Sequence, residues 1–260
     1  YLSAIAILEK TVNLQRIKIG ENHPDTLTSM TDLGLAYLSS GNLNTAVDLL
    51  QEIYERRKSA FGQKDPDTIY AMNNLAHAYG EIGNPKLAIP LLEQALKIQQ
   101  TKYSTEDPST LRIMNNLAAA KETIGEPGVG LLLKEEILEL SIENLGPDHP
   151  DTLSYMNNVA TTYRSAGRIS EAISLHEKTL ELRIAKLGTD HDETMLSMSN
   201  LAMAYMDGGR LDEALTLCKN ALDLETKKFG PNHPGTLASM NNLAYAYQQK
   251  GEFDEAIALN

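Results

Sequence analysis

The chain has 260 residues, of which 42% are hydrophobic, and a formal net charge of −12. That charge argues against nucleic acid and anionic membrane surfaces as partners, since both are held by clustered Lys and Arg; a basic partner would be attracted instead. No run of eighteen apolar residues marks a membrane span, no basic stretch leads into an apolar one as in a signal peptide, and the single cysteine, Cys218, excludes an internal disulfide, so the cytoplasm is the expected compartment.

Residues 1–23 read as the second helix of an incomplete repeat, because Ala4 stands in register with Ala88 two repeats on. His23-Pro24-Asp25-Thr26 then opens a pattern that recurs at Asp65-Pro66-Asp67-Thr68, Asp107-Pro108-Ser109-Thr110, His149-Pro150-Asp151-Thr152, His191-Asp192-Glu193-Thr194 and His233-Pro234-Gly235-Thr236. The step is 42 residues throughout, which divides the chain into full repeats at 24–65, 66–107, 108–149, 150–191 and 192–233 and a shortened one at 234–260. Residues 1–260 are thus expected to form one solenoid, cut from a longer array. A fixed period of this size signals stacked supersecondary units rather than one central core.

Each repeat reads as two helices. Asp or His before Pro opens the first, where Pro loses no needed hydrogen bond and an acidic residue complements the dipole. Met72, Leu75, Ala76 and Tyr79 follow at helical spacing as one apolar stripe. The glycine column Gly41, Gly83, Gly125, Gly167, Gly209 and Gly251 stops this helix. In the second helix Ala88, Leu91, Leu92, Ala95, Leu96 and Ile98 form the apolar face, with Ala88 small enough for close approach. Its end is expected near Tyr103-Ser104, or at Gly62, Gly146, Gly188 and Gly230 in other repeats. Nothing alternates with period two, so no sheet is expected.

The second and third repeats break the pattern. Pro90 lies inside a helix, Lys121 stands in the tyrosine column of Tyr37, Tyr79, Tyr163, Tyr205 and Tyr247, and Gly130 stands in the alanine column of Ala46, Ala88, Ala172, Ala214 and Ala256. Together with Gly128 these predict a bent or flexible joint around residues 85–130. Gly125-Glu126-Pro127-Gly128-Val129-Gly130 follows no strand and lacks Gly-Lys-Ser/Thr, so it reads as a degenerate turn rather than a phosphate loop.

Met72-x-x-Leu75-Ala76-x-x-Tyr79 followed by Ala88-x-x-x-Leu92 resembles the tetratricopeptide signature, with Met in place of its usual Trp. The 42-residue step and the His-Pro-Asp-Thr…Met-Asn-Asn-Leu-Ala block resemble kinesin light chains and their relatives, over essentially the whole chain. The resemblance implies an all-α, right-handed superhelical α-solenoid of antiparallel helix pairs. It also implies a non-catalytic interaction module that binds a protein or extended peptide, basic or apolar, in a concave groove lined by the first helices.

Asn73-Asn74, Asn115-Asn116, Asn157-Asn158, Ser199-Asn200 and Asn241-Asn242 recur mid-helix, although Asn is a poor helix former. An amide can bond both N–H and C=O of an extended peptide, or it can bond between adjacent helices and hold the array. Beside the amides, Tyr70, His77, Arg112, Leu196, Met203 and Tyr245 are expected to set specificity. His23, His149, His191 and His233 occupy one loop position of different repeats, too far apart to share a metal, and read as helix-start residues. No metal, cofactor or catalytic residue is expected. Two other readings are end-to-end self-association and a sensor segment of a larger kinase or nucleotide-hydrolysing protein.

Overall fold

The computed structural model describes residues 2–102 and 107–259. Among them are thirteen helices and no strand. The first helices of the repeats, hereafter A helices, are α2 (Pro24–Ser39), α4 (Pro66–Glu81), α6 (Pro108–Thr123), α8 (Pro150–Ser165), α10 (Asp192–Asp207) and α12 (Pro234–Lys250). The second, or B, helices are α1 (Leu2–Lys18), α3 (Leu43–Phe61), α5 (Pro85–Lys102), α7 (Pro127–Leu145), α9 (Ile169–Leu187), α11 (Leu211–Phe229) and α13 (Phe253–Leu259). The expected end of α5 at Tyr103-Ser104 lies outside the described residues.

The repeated tetrapeptide is a helix-start device. Nδ1 of His23, His149, His191 and His233 accepts the backbone N–H two residues on, at 3.2 to 3.3 Å. Asp65 accepts from the N–H of Thr68, and Asp107 from that of Ser109. The histidines therefore satisfy orphan helix donors, the role their position suggested. The threonine that follows is fully buried in all six copies. In three copies its hydroxyl ties the start of the A helix to the end of the B helix before it: Thr26 donates to the Gly20 carbonyl at 2.8 Å, Thr152 to that of Ser141 at 3.1 Å and Thr236 to that of Gly230 at 2.8 Å, whereas the Thr68 hydroxyl bonds its own cap, Asp65. At the other end of the A helices the glycine column takes left-handed φ, from 72° at Gly83 to 90° at Gly125.

The chain divides into two compact units within α7, between Ile137 and Leu138. In the first, Met30, Met72, Leu75, Ala88, Leu92 and Ala95 are buried together. In the second, Met198, Leu201, Ala202, Ala214, Leu215 and Cys218 form the equivalent core. Burial pushes the Cys218 thiol up to about 11, so it is a small buried hydrophobe at neutral pH. Gly34 stands where later repeats have Ala76 and Ala202; a methyl there would meet Leu50 Cδ2 at 2.9 Å.

The irregular stretch is locally compensated. Helix α5 continues through Pro90 to Lys102, so the proline does not end the helix. A Cβ on Gly130 would fall 2.8 Å from the Ala118 carbonyl oxygen and 2.5 Å from Glu122 Cγ, so glycine permits the closer approach of α7 to α6. Lys121 has a counterpart too. Residues of its column reach the residue twenty-eight positions earlier, on the preceding B helix: Tyr37 donates to Glu9 at 2.5 Å, Tyr79 to Gln51 at 3.4 Å, Tyr205 to Glu177 at 2.7 Å, and Lys121 pairs with Glu93 at 3.2 Å. The ammonium takes the phenol's place against the same carboxylate. In the last copy the partner is Lys219, and Tyr247 offers its ring face instead, 5.4 Å from the ammonium.

His176 in α9 is only 1% exposed, and burial, with the positive charges of Arg164 and Arg183, pushes its imidazole down to about 4. An unfolded histidine titrates near 6.5. Between those values the unfolded chain takes a proton that the folded chain refuses, so His176 makes stability fall as pH drops from about 6.5 to about 4, by up to about 3 kcal/mol. Urea melts followed by circular dichroism across that interval should show the loss in the wild type and a shallower pH dependence in His176→Leu.

Candidate functional face of the A helices

The A helices of successive repeats touch one another, α4 with α6 in the first unit and α8 with α10 and α10 with α12 in the second. The asparagine columns lie along this seam. Asn116 donates through Nδ2 to Asn73 Oδ1 at 2.9 Å, and Asn200 donates through Nδ2 to Asn157 Oδ1 at 2.8 Å. The separation is 43 residues in both cases. The second amide of one repeat thus bonds the first amide of the repeat before it. Arg164 and Asp207 obey the same spacing, at 3.6 Å.

Burial sorts the amides further. Asn73 and Asn74 are buried, at 3% and 6% exposed. Asn115, Asn116, Asn157, Asn158, Asn200 and Asn242 are half-buried, and Asn241 is exposed. Asn74 shows what happens when the ladder lacks a rung. Its partner position in the preceding repeat is Thr31, whose hydroxyl donates to its own helix at the Leu27 carbonyl, 2.8 Å away. The Asn74 Nδ2 is left buried with no partner. An orphaned buried donor costs about 1–3 kcal/mol.

The other residues expected to set specificity fall around the ladder. In the first unit Arg112 lies over the Tyr70 ring, 5.1 Å from its centre. Both line a cleft of about 350 Å³ with Asn73, Ser109, Asp67 and Asp107. Hydrogen bonds from Ser109, Gln99 and the Thr110 amide outweigh burial and hold the Asp107 carboxyl below its ordinary range. His77 is exposed and lies 3.6 Å from Glu81. In the second unit Leu196 is 53% exposed and Tyr245 42%, with Met203 half-buried.

One column escaped the sequence reading. Gln15, Arg57, Gln99, Ser141, Arg183 and Glu225 occupy one position of the B helices. Arg57, 4% exposed, bonds Asp67 at 2.8 Å and the Thr28 hydroxyl at 3.2 Å. Arg183, 3% exposed, bonds the Ser197 hydroxyl at 2.7 Å and pairs with Glu193 at 2.9 Å. Each clamps a B helix to the next A helix. The signal was available: Arg57 and Asp67 recur as Arg183 and Glu193, three repeats on, with the same ten-residue gap. Among the described residues no cluster of His, Cys, Asp and Glu could hold a metal ion, and no helix is long and apolar enough to cross a membrane.

The tetratricopeptide repeat model matches residues 1–59, 39–101, 67–129, 130–185 and 192–260. A Podosopora anserina kinesin light chain protein with nearly identical TPR-like repeats is 30% identical, with a TM-score of 0.68, over 75% of this chain and 92% of that one. BtubC (BKLC) from P. vanneervenii is 23% identical, with a TM-score of 0.73, over 89% of this chain and 93% of that one. A Rap protein complexed with competence and sporulation factor is 13% identical, with a TM-score of 0.63, over 98% of this chain and 83% of that one. No curated protein matches the chain.

The ladder can be tested from both sides. Thr31→Asn should supply the missing acceptor for Asn74 and raise stability by about 1 kcal/mol, whereas Asn73→Ala should orphan Asn116 and lower it by about 1–3 kcal/mol. Urea midpoints of the two variants at neutral pH measure this. Shifts equal in the two variants, or both reversed in sign, would show that the amides do not act as rungs.

Proposed function

The chain belongs to the tetratricopeptide repeat family, and we propose on that footing that it is a non-catalytic scaffold that takes an extended segment of a partner protein against its A helices. Repeats of this family serve generally as protein-interaction scaffolds. The observation that carries the finer reading is the mixture of groups on the A face of the second unit: half-buried amides at Asn158, Asn200 and Asn242 beside exposed Leu196 and Tyr245. Amides meet the main chain of a bound segment whatever its sequence, and apolar side chains supply anchoring. The inter-repeat bond uses one N–H of Asn200 and leaves that residue's carbonyl oxygen uncommitted by that bond. Holding the repeats together and presenting an acceptor are therefore compatible duties of one side chain. In the first unit, where Asn73 and Asn74 are buried, contact with a segment falls to Tyr70, His77, Arg112, Asn115 and Asn116.

A Rap protein of the same fold has been solved in complex with competence and sporulation factor. That supports a binding role for the fold and leaves the partner of this chain to its own chemistry. The partner segment should be apolar where it meets Leu196, Met203 and Tyr245, with basic residues favoured by the chain's net charge of −12.

The test is selection of a displayed random dodecapeptide library on the whole chain, followed by fluorescence anisotropy with the selected peptides. Leu196→Glu should weaken A-face peptides by about tenfold or more, an energy of about 1.4 kcal/mol. Asn200→Ala should weaken them beyond any change in stability. Peptides indifferent to both variants would remove the A face as the receptor.

A further inference from the structure

The B helices carry a second surface that repeats with the same period. At three places a cleft floored by an A helix runs between consecutive B helices. In the second unit the cleft between α9 and α11 is lined by Leu180, Ile184, Leu201, Tyr205 and Leu217, with Glu177, Glu181 and Glu213 at its mouth, and holds about 520 Å³. The same position in the first unit occurs between α1 and α3, at about 430 Å³, and between α3 and α5, at about 290 Å³.

The three copies are not equivalent. Between α1 and α3, Arg16 replaces Ile184 and pairs across the cleft with Glu52 at 3.2 Å. Between α3 and α5, Tyr54 takes the place of Leu180, and Lys58 lies 5.3 Å from its ring centre. A cation of the chain thus lines the first of these clefts, as Arg16, and stands over a lining ring of the second, as Lys58. Between α9 and α11 the position of Glu52 is Asn220 and that of Arg16 is Ile184, which is 38% exposed. No basic residue lines this copy.

Its rim is acidic beyond its own compensation. Arg210 is shared between Glu177, at 3.1 Å, and Glu213, at 3.0 Å. One guanidinium thus serves two carboxylates, and Glu181 adds a third charge to the mouth. Glu177 is fixed further by the Tyr205 hydroxyl at 2.7 Å. An apolar floor under a net negative rim is complementary to a large aliphatic or aromatic side chain with a cation close by. In the first unit the chain supplies that cation itself, as Arg16 or Lys58. In the second unit Arg210 lies over the Tyr205 ring, 4.1 Å from its centre, and is taken by Glu177 and Glu213, so a cation beside Glu181 must come from outside.

We propose that the α9/α11 cleft is a second docking site, separate from the A face, for a partner segment that seats one large apolar side chain against Leu180, Ile184 and Leu217 and places a Lys or Arg beside Glu181. The cation would stand where Arg16 stands in the first unit. Positive charge at the mouth also meets the long-range field of an acidic chain.

The same displayed dodecapeptide library, selected on the whole chain, tests this through different variants. A class of selected peptides with an apolar residue and a Lys or Arg within one helical turn of it should lose about tenfold or more in affinity on Ile184→Glu, and keep it on Leu196→Glu. Glu181→Lys should weaken the same peptides, and exchanging the peptide's Lys or Arg for Glu should restore binding to Glu181→Lys but not to the wild type. That charge-swap rescue cannot arise from misfolding. Selected peptides that are all insensitive to Ile184→Glu overturn the site. Sensitive peptides that carry no cation, or carry acidic residues, overturn the assigned partner chemistry. Failure of the A-face reading would appear separately, as indifference to Leu196→Glu.

Discussion

A pair of antiparallel helices joined by a glycine turn cannot cover its own apolar stripe. The Met, Leu and Ala columns of each 42-residue repeat need a neighbouring repeat on both sides, so the stack, and not the pair, is the stable object. Everything else here answers the demand that consecutive repeats meet in one register. Small residues at Gly34, Ala46, Ala76 and Ala88 bring the two helices of a pair close. The buried threonine of the tetrapeptide ties the start of α2, α8 and α12 to the end of the B helix before it. The amide ladder ties A helix to A helix, the tyrosine column ties A to the preceding B, and Arg57 and Arg183 tie B to the next A.

These ties put polar chemistry where an apolar seam would also have packed. Apolar contacts are non-directional and would tolerate a slip between repeats. A carboxylate reached by a phenol, or an amide oxygen reached by the next amide, tolerates much less. The substitutions show the constraint at work. Lys121 keeps the contact to Glu93 that a tyrosine makes elsewhere, Tyr247 turns its ring to Lys219 when the carboxylate is gone, and Thr31, which withdraws its hydroxyl to its own helix, leaves Asn74 unpaired. The register survives single departures because several independent ties maintain it.

The same economy leaves room for function. A ladder amide commits one hydrogen bond to its neighbour and retains others for a ligand. Inter-helix clefts recur between α1 and α3, α3 and α5, and α9 and α11, as a consequence of stacking cylinders. Which cleft is open then depends on one or two side chains, as the contrast between Arg16 and Ile184 shows. A regular scaffold with irregular surface positions separates the requirements of folding from those of recognition.

Helix starts, helix stops, the buried stripe and the identity of the fold were all legible in the sequence, because each rests on neighbours within one or two turns and each is repeated six times. The histidines as helix caps could be read for the same reason. The irregular stretch around residues 85–130 illustrates the limit. Pro90, Lys121 and Gly130 each break a local rule, yet α5 runs on, Lys121 finds Glu93, and Gly130 admits a close approach to α6. Local rules register the cost of such residues, but their compensation lies on another helix. The partner of each asparagine, the burial of Asn73 and Asn74, the arginine clamps and the open cleft at Ile184 all depend on the spacing between repeats, and that distance exists only once the helices are stacked.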